Sequence, residues 1–532
     1  MKIESLPLNV LEVVQNNNGL KMYLNSLERG RPATPRSWLY EGKSDSEILS
    51  LWLNQLKKLD SDERGKLVYQ YELSFLEKFG PQGAVKPVKE LMDLVTEGFK
   101  MADSPMPELF KSKEWQAAKK LAIERLFIKN KLYHSLRPRA LKHVVDDMRA
   151  RDTLESNSGF PDFGRRKKPE ILQSAYAAVD DGSYLDFPAI LLFRNYNGKT
   201  RPVWMYPMST NLVEGSFTQP LKEALTKTSM KFFNPWRGYD YVKLQMTDDY
   251  LLGRIQSASD FSHTDAHFTR WAMLEVFDVI KHAYQPKYWD DMKQSMLHVV
   301  DIPLIVDSAH WITGQHGVSS GSNWTNDVET YMDFIAECYF VVTGLVPFTG
   351  DAIGDDVRHV MTKYDPKFAD KIAKLYQQMG FDVNSEKVTN EVTWVKYLQR
   401  LMINGWFSDY GVTIQGKHHD TFRGIYRTVK ALNSSLNPEK FHSPKLWSVD
   451  MFCVRQFMIL ENCIDHPLFV DFVKFICNGN PHLRAFAVKT SAEIDKAQKA
   501  SRLVPSLNPT YNQEKRDKPL SSFESIRIAR NL

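Results

Sequence analysis

Two short acidic segments constrain the fold of this chain more than any other feature of its sequence. Asp260 ends a short strand-like run, and Asp265 follows it in a helical pattern. Asp355-Asp356 lies 95 residues after Asp260, between stretches that predict two strands joined by a turn. Carboxylates from separate strands can hold two cations about 4 Å apart, as phosphoryl transfer by two metal ions requires. A helix cap at Asp260 and an ordinary surface turn at Asp355-Asp356 remain alternatives.

A serine- and glycine-rich loop lies between these acidic segments in the sequence. Gly317 to Gly321 leads into a helical pattern that contains Thr325. Glycine lets the backbone approach a nucleic-acid strand or a ribose closely, while Ser320 and Thr325 offer hydroxyl groups. Serine-capped junctions between a loop and a helix are common, so a purely structural loop is the alternative.

Taken together, the three segments resemble the palm motifs of viral RNA-dependent RNA polymerases. These read Asp-x4-Asp, Ser-Gly-x3-Thr and Gly-Asp-Asp in that order, which argues against a polymerase with a permuted palm. The resemblance covers about residues 155–405. It implies that Asp260 and Asp355 bind two Mg²⁺ or Mn²⁺ ions with help from Asp356, that Asp265 selects ribose, and that no organic cofactor is used.

Glu329 departs from the common pattern, because many of these polymerases have asparagine four residues after the motif threonine. Polymerases of picobirnaviruses resemble this chain in having an acid there, and partitivirus-like enzymes are the next candidates. The resemblance places Ser320, Thr325 and Glu329 in the nucleotide site. Direct contact between Glu329 and the ribose stays open.

A basic segment upstream predicts a hairpin. Arg194, Lys199 and Arg201 lie around Asn197-Gly198, and fixed positive charge suits a triphosphate. The segment resembles the polymerase fingers motif that grips the nucleotide, with Arg201 the best match and Lys199 next. A solvated basic hairpin is the alternative.

An earlier segment resembles the fingers loop at the template entrance. Its Ser158-Gly159 pair precedes the basic run that starts with Arg165 and Arg166, and such a run suits phosphate contacts. We therefore expect Ser158, Gly159, Arg165 and Arg166 to contact template RNA together with Gly321. A solvated charge cluster is the alternative for Lys167 and Lys168.

Two downstream segments complete the candidate site. Gly380 to Lys387 resembles the palm segment whose lysine protonates the leaving pyrophosphate, which makes Lys387 a candidate general acid. Thr393 to Arg400 resembles the strand pair at the primer end. Arg423, Arg427 and Lys430 have the spacing of one helical face, which could follow the product phosphates or simply be solvated.

Periodicity predicts several elements directly. Two helical stripes are Trp115, Ala118, Ala122, Leu126 and Phe368, Ile372, Leu375, Met379, the second stopped by Gly380. A third stripe is Val449, Cys453, Phe457 and Leu460, and strand-like runs cover 189–193, 202–205 and 392–398. Helix starts are predicted after Pro138 and at Ser443-Pro444 and His466-Pro467, with a mainly helical pattern from about 417.

The fold that this resemblance implies is α+β: a right-hand polymerase fold of fingers, palm and thumb, with an antiparallel palm sheet and a helical N-terminal extension. A length of 532 residues with 43% hydrophobic side chains suffices for several subdomains around one site. The expected division is an N-terminal extension 1–110 bridging fingers and thumb, fingers with part of the palm 111–255, palm 256–405 with an inserted fingers segment about 275–315, thumb 406–502, and basic tail 503–532.

The expected function is an RNA-dependent RNA polymerase that replicates and transcribes a double-stranded RNA genome without a primer. RNA template and product, ribonucleoside triphosphates and capsid protein are the expected partners of a monomer in the virion interior and host-cell cytoplasm, with no membrane contact. Alternatives are a non-catalytic RNA-binding or capsid-lining protein and a two-metal nuclease. The net charge of +5 suits an RNA partner only weakly, and the four cysteines lack zinc-ligand spacing.

Overall fold

The computed structural model describes residues 1–260, 264–383, 385–440, 447–502 and 518–532. The side chains of Asp260, Thr264, Phe348, Thr349 and Lys387 lie outside this description as well. The helix start predicted at Ser443-Pro444 and residues 503–517 of the predicted tail therefore lie outside the described residues.

Twenty-two helices make up most of the ordered secondary structure in the described ranges. The first eleven are α1 (Leu8–Asn16), α2 (Asn18–Arg29), α3 (Asp45–Leu56), α4 (Glu63–Leu73), α5 (Met92–Met101), α6 (Lys113–Ile123), α7 (Leu141–Ala150), α8 (Pro169–Asp180), α9 (Met208–Thr226), α10 (Asn234–Arg237) and α11 (Tyr239–Leu251). The others are α12 (Thr264–His267), α13 (Arg270–Ile280), α14 (Trp289–His298), α15 (Trp324–Val342), α16 (Phe368–Gln378), α17 (Thr428–Leu436), α18 (Val449–Glu461), α19 (Phe469–Asn478), α20 (Pro481–Ala487), α21 (Ser491–Ser501) and α22 (Glu524–Arg530).

Fourteen short strands lie between these helices in the described part of the chain. They are β1 (Lys2–Ser5), β2 (Ala189–Tyr196), β3 (Lys199–Met205), β4 (Ile255–Asp260), β5 (Leu304–Ile305), β6 (His310–Thr313), β7 (Phe348–Ile353), β8 (Asp356–Met361), β9 (Val388–Asn390), β10 (Trp394–Tyr397), β11 (Arg400–Ile403), β12 (Val412–Ile414), β13 (Lys417–His419) and β14 (Ile425–Tyr426).

Four sheets organise the strands. The central sheet has the order β7-β8-β4-β9 and is antiparallel throughout. A five-stranded sheet has the order β1-β6-β5-β2-β3, with β2 and β5 parallel. The sheets β10-β11-β14 and β12-β13 are smaller. The central sheet therefore joins strands from three distant parts of the sequence.

Helix α15 forms the centre of the larger hydrophobic core. Trp324, Val328 and Ile335 on this helix are fully buried, and β7 and β8 add Ala352 and Val357 to the same cluster. Packing of a long apolar helix against the central sheet fixes the position of the β7–β8 turn relative to the N-terminal end of α15.

The first 110 residues contribute to two separate cores. Apolar residues of α1, α2 and α5 join the core around α15, whereas those of α3 and α4 join a second core with α17 to α22. The connection is also polar: Trp52 Nε1 donates to Thr428 Oγ1 over 2.8 Å, and Arg31 Nη2 donates to the carbonyl of Phe193 over 2.9 Å. This segment thus links the β2–β3 hairpin to the C-terminal helices.

The periodicity predictions agree with the elements observed. Trp115, Ala118 and Ala122 on α6 are fully buried, and Leu126 is buried in a π-helical turn that follows. Helix α16 runs from Phe368 to Gln378, and Gly380 follows it with a φ of +92°. The predicted strands correspond to β2, β3 and β10, and α7 follows Pro138.

The prediction of a mainly helical pattern from about residue 417 is wrong in its first part. Strand β13 includes Lys417, and β14 pairs with β11 so that Tyr426 lies opposite Arg400. Arg423 therefore precedes a strand, and Arg427 caps α17 instead of lying within a helix. Arg423, Arg427 and Lys430 therefore do not share a helical face. The prediction failed because residue spacing alone cannot reveal a strand of two residues such as β14.

Candidate active site

The β7–β8 hairpin places two acids at one end of the central sheet. Ile353 pairs with Asp356, so the turn consists of Gly354 and Asp355. Gly354 has a φ of +58°, which glycine adopts without steric cost. Its N–H donates to Thr330 Oγ1 over 2.9 Å, and an added Cβ would lie 2.7 Å from Asn326 Nδ2. Helix α15 thus holds the turn in place through two side chains.

Strand β4 brings the third predicted acid to the same end of the sheet. Asp260 is the Cα partner of Asp356 in the antiparallel pair β4–β8. The Asp260 side chain lies outside the described residues, so only its backbone position is reported. The backbones of Asp260 and of Asp355-Asp356 therefore lie side by side, as expected. The roles of their carboxylates stay predictions.

Asp265 lies at the centre of a group of polar side chains. Ser320 Oγ donates to Asp265 Oδ2 over 2.9 Å, and the side chain of Glu329 is hydrogen-bonded to the same carboxylate. Glu329 is only 6% exposed. Burial and the neighbouring charge of Asp265 raise the pKa of Glu329 well above its ordinary value, which favours the protonated form of this acid.

Several carboxylates lie close together around the hairpin. Asp333, one turn after Glu329, is buried, and burial followed by the charges of Glu337, Asp355 and Asp356 raises its pKa. One oxygen of Glu329 and one of Asp333 have no hydrogen-bond partner among the described residues. A divalent cation would stabilise such a group of neighbouring carboxylates.

The acids at the hairpin thus have the donor chemistry that Mg²⁺ or Mn²⁺ prefers, namely carboxylate oxygens from separate strands. In the described part of the chain, no group of three or more His, Cys, Asp or Glu side chains has the geometry of a metal site. The Asp260 side chain is not among these described groups. Asp260, Asp355 and Asp356 remain the predicted ligands.

The Ser-Gly loop is packed tightly against β3. The carbonyl of Ser320 accepts from Trp204 N over 3.0 Å, and a Cβ on Gly321 would lie 1.9 Å from the carbonyl oxygen of Trp204. Only glycine fits at this position, and its φ is +126°. Thr325 Oγ1 donates to the carbonyl of Ser319 over 2.7 Å, so the hydroxyl that was expected at the nucleotide instead closes the loop.

Helix α9 supplies two residues that sequence reasoning missed. Glu214 is fully buried and accepts from Ser322 Oγ over 2.6 Å and from Asn323 N over 2.8 Å. Asn211 Nδ2 donates to Glu214 Oε2 over 2.9 Å and to the carbonyl of Gly321 over 3.2 Å. These contacts fix both sides of the loop. The sequence offered no clear signal for them, because Asn211 and Glu214 lie in a helical segment that mixes polar and apolar residues throughout.

The predicted template loop is anchored to the same network. Ser158 is fully buried and accepts from Gly164 N, while Gly159, with a φ of +69°, packs against the carbonyl of Tyr206. Arg166 donates to Asn211 Oδ1 over 2.8 Å and to the carbonyl of Asn157. Arg165 is exposed and pairs with Glu155 at 3.4 Å. Of the four template residues predicted in this loop, Arg165 is the one whose charged group is exposed.

The predicted basic hairpin is formed by β2 and β3, in which Arg194 is the Cα partner of Arg201. Arg194 makes a bidentate contact with Glu439, with distances of 2.7 and 2.6 Å. Lys199 and Arg201 are exposed, and within the described ranges neither has an ion-pair partner. The hairpin therefore presents Lys199 and Arg201 as available cations, while the charge of Arg194 is already balanced.

The C-terminal cations have mostly internal contacts. Arg423 is 8% exposed and donates to the carbonyl of Asp465 over 3.1 Å and to Asp409 over 2.7 Å. Arg427 donates to Ser74 Oγ and lies 4.7 Å from the ring centre of Tyr71. These contacts explain the positions of both residues without RNA. Lys387 ends a short 3-10 turn between α16 and β9, and its side chain lies outside the described residues.

The sequence of this chain is similar to those of known viral polymerases. Residues 196–408 match a family model described as viral RNA-dependent RNA polymerase. A human picobirnavirus protein described as a potential RNA-dependent RNA polymerase is 26% identical over 494 residues, which cover 87% of this chain and 85% of that protein.

Two solved structures share the fold. The crystal structure of a human picobirnavirus RNA-dependent RNA polymerase matches with a TM-score of 0.79 at 22% identity, covering 99% of both chains. An insertion-loop deletion mutant of such a polymerase matches with a TM-score of 0.77 at 22% identity, covering 95% of this chain and 99% of that one. The predicted α+β right-hand fold is thereby confirmed. In the described part of the chain, no helix is long and apolar enough to cross a membrane.

Proposed function

We propose that this chain, an RNA-directed RNA polymerase similar to those of picobirnaviruses, replicates and transcribes a double-stranded RNA genome by two-metal-ion nucleotidyl transfer without a primer. One observation carries the proposal. At one end of the central sheet, the backbone of Asp260 lies beside the Asp355-Asp356 hairpin, and α15 supports that hairpin through Thr330 and Asn326. Primer independence rests on similarity to the family alone.

Asp260 and Asp355 would hold the two ions, with Asp356 assisting. When bound, two divalent ions lower the pKa of the attacking 3′-hydroxyl and stabilise charge on the leaving pyrophosphate. The contribution of the protein is to fix these acids on separate strands. Gly354 permits the two-residue turn, and the pairing of β4 with β8 sets the position of Asp260 relative to Asp356.

Asp265 is the proposed sensor of the ribose 2′-hydroxyl. Ser320 and Glu329 both contact its carboxylate, which limits the rotation of the Asp265 side chain. A carboxylate with a fixed orientation can discriminate a hydroxyl from a hydrogen, since the loss of one hydrogen bond leaves a polar group without a partner. In this proposal Glu329 contacts Asp265 and positions it.

Lys199 and Arg201 are the proposed cations for the nucleotide triphosphate, because both are exposed on the β2–β3 hairpin. Lys387 is the proposed general acid for pyrophosphate. Exposed Arg165 and Gly321 are the proposed contacts with template RNA. Arg194, Arg166, Thr325, Ser158, Gly159, Arg423 and Arg427 would act on substrate indirectly, through the protein contacts described above.

The subdomain assignment is part of the same proposal. Residues 1–110 would bridge fingers (111–255) and thumb (406–502), and about 275–315 would be a fingers insertion in the palm (256–405). Pairing of β5 and β6 with β2 and β1 supports the insertion. The basic tail, capsid protein as partner, a monomeric state, and a location in the virion interior and host-cell cytoplasm are proposed from the family resemblance.

Nucleotide incorporation tests this function directly. The protein is incubated with a short RNA template, labelled ribonucleotides and Mg²⁺ or Mn²⁺. Asp355→Asn should reduce incorporation by a factor of about 10³ or more, because it removes a charge that holds the metals. Asp370→Asn, which changes an exposed acid on α16, is the matched control and should retain full synthesis.

Appreciable synthesis by a folded Asp355→Asn protein would reject the metal assignment. Absence of synthesis by the unmodified protein with both metals would favour the alternative, a non-catalytic RNA-binding or capsid-lining protein. Thermal unfolding of each variant shows whether a loss of activity reflects the site or the fold.

A further inference from the structure

A cavity of about 540 Å³ lies at the edge of the central sheet, between the chain that follows α6, the segment before α10, and helices α11 and α15. Val360 on β8 forms part of its wall. This residue is four positions from Asp356, which places the wall roughly 13 Å along the strand from the acidic turn. No residue assigned above to metal, nucleotide or template binding lines the cavity.

Basic side chains outnumber acidic ones in the wall of this cavity. Arg125, Lys129, Lys231 and Arg254 line it, against the single acid Asp249. Both oxygens of that acid are already occupied. Asp249 Oδ1 accepts from Arg254 over 2.8 Å, and Asp249 Oδ2 accepts from the buried Arg358 over 2.7 Å. The acid therefore cannot neutralise the remaining cations.

Two of the cations have no acidic partner at all within the described ranges. Neither Arg125 nor Lys231 has a carboxylate within ion-pair distance. Lys129 pairs with Glu124 at 3.1 Å, but both side chains are about half exposed or more, so that pair is weak and can exchange. Cations that converge on one concave surface without partners repel one another, and an anion bound between them would remove that repulsion.

The floor of the cavity is apolar. Phe334 on α15 and Val360 on β8 are almost fully buried, and Met230 and Pro347 add further apolar surface. Met230 is held in place by Asn130, whose amide contacts its sulfur and the carbonyls of Arg125 and Leu126. An apolar floor with a basic rim suits a ligand that has both a flat organic group and a cluster of negative charge.

We propose that this cavity binds a di- or triphosphate group, presented either by a free nucleotide or by the 5′ end of an RNA. A volume of about 540 Å³ is within the range of small-molecule sites, and a single carboxylate would leave most of the positive charge unbalanced. Guanidinium and ammonium donors on several sides match a polyphosphate, since it offers oxygens in several directions. The proposal does not depend on polymerase activity.

Titration calorimetry with sodium tripolyphosphate tests this binding. EDTA is added to remove divalent metal ions, so that tripolyphosphate cannot bind the active site through a metal. The double variant Arg125→Glu, Lys231→Glu should lose one binding site or bind at least about 30-fold more weakly, because two attractive charges become repulsive. The control pair Lys113→Glu, Lys374→Glu reverses two exposed charges on α6 and α16 outside the cavity and should bind as the unmodified protein does.

Unchanged stoichiometry and affinity in the folded cavity variant would overturn the proposal. If the charge reversals prevent folding, the milder pair Arg125→Gln, Lys231→Gln serves in their place and should still weaken binding about tenfold. Light-induced labelling with 8-azido-ATP gives an independent location. Labelled peptides that contain 229–231 or 125–130 support the site, and labelling confined to other peptides rejects it.

Further titrations distinguish the two sources of the polyphosphate. ATP and a short 5′-triphosphorylated RNA are each compared with the same RNA carrying a 5′-hydroxyl. If ATP binds the unmodified protein and this binding is lost in the cavity variant, the ligand is a nucleotide. If only the triphosphorylated RNA binds in this way, the ligand is the 5′ end of an RNA. Equal, variant-sensitive binding of the 5′-hydroxyl RNA would show recognition of backbone phosphates and overturn the polyphosphate assignment.

Discussion

At the scale of single residues, Glu329 shows how burial changes the chemistry of an acid. Its carboxyl group is buried beside Asp265, and burial together with the charge of Asp265 raises its pKa well above the ordinary value, which favours the protonated form. A neutral carboxylic acid can donate a hydrogen bond to a carboxylate, as an asparagine amide does. Glu329 can therefore donate a hydrogen bond to Asp265 at the position where asparagine is common.

This interpretation predicts the effects of two substitutions. Glu329→Gln keeps a neutral donor of similar size, so synthesis and the preference for ribonucleotides should stay within about threefold of the unmodified protein. Glu329→Ala removes the donor, and the ribonucleotide preference should fall by about tenfold or more. Single-nucleotide incorporation of ATP and dATP measures both. Equal preferences in the Ala and Gln variants would contradict the donor role.

The positions of residues in local sequence patterns could be predicted. The side-chain partners of residues that are far apart in sequence could not. Gly354-Asp355-Asp356 could be placed at a hairpin tip because strands and turn are adjacent in sequence. Nothing in the sequence indicated that Arg194 pairs with Glu439, 245 residues later, or that Thr325 donates to Ser319 instead of facing substrate. Side-chain partners of this kind depend on the folded chain.

At the scale of elements, the β7–β8 turn depends on the absence of a side chain at Gly354. Gly354→Ala would place a methyl group 2.7 Å from Asn326 Nδ2 in a backbone conformation with a φ of +58°. We expect a loss of about 1–3 kcal/mol in the free energy of unfolding and at least tenfold slower incorporation. Urea unfolding and a primer-extension assay measure the two effects.

Gly344→Ala is the matched control for this turn. Gly344 also has a positive φ, of +74°, but an added Cβ there would meet no atom within 4 Å. Its cost should be limited to backbone strain, with normal incorporation. If Gly344→Ala slowed synthesis as much as Gly354→Ala, the contact with Asn326 would not be the cause.

Glu214 on α9 links the stability of the 319–323 loop to pH. Burial raises its pKa to about 7 from an ordinary value of 4.5. Between these values the folded protein retains a proton that the unfolded chain has released. The free energy of unfolding should therefore decrease as pH rises from about 4.5 to about 7, and this contribution should stay constant above that range.

Glu214→Gln cannot titrate and should lack this slope. Urea unfolding of both proteins between pH 5 and pH 8 measures the difference. Glu223→Gln changes an exposed acid on the same helix, whose pKa is lowered by its contacts with Lys227 and Arg139, and should keep the slope. A slope that persists in Glu214→Gln would assign the titration to another group.

Long periodic elements were predicted well, and very short ones were missed. Helices α6 and α16 each show a stripe of buried residues that repeats every three or four positions. Strands β5 and β14 have two residues each and cannot show a period. Their pairing is decided by the surrounding sheet, which is why Arg423 and Arg427 were wrongly assigned to one helical face.

At the scale of the whole molecule, the β2–β3 hairpin is tied to the C-terminal half by residues far apart in sequence. Gly83 N donates to the carbonyl of Asn195, Thr34 Oγ1 donates to the carbonyl of Glu439, and Glu439 binds Arg194. Because each contact joins a different part of the chain, loss of one should loosen the hairpin without unfolding the protein.

Glu439→Gln removes the charged partner of Arg194. Hydrogen exchange of peptides within 189–205 should become about fivefold faster, which corresponds to a loss of about 1 kcal/mol in local stability for a pair that is partly exposed. Glu155→Gln, which disrupts ion pairs with Arg165 and Lys167 nearby in sequence, is the control and should leave this exchange unchanged. Unchanged exchange in Glu439→Gln would show that the pair does not hold the hairpin.

The packing of the N-terminal helices α3 and α4 in the second core also sets an order of events during synthesis of the chain. Domains generally begin to fold from the N-terminus as the ribosome releases them. Helices α3 and α4, however, bury their apolar faces in a core that they share with β11, β14 and α17 to α22. The N-terminal segment must therefore wait, with Trp52 and Phe75 uncovered, until most of the chain has left the ribosome. The nascent polypeptide would bind chaperones throughout that interval, and the polymerase would become competent only after its last helices are made.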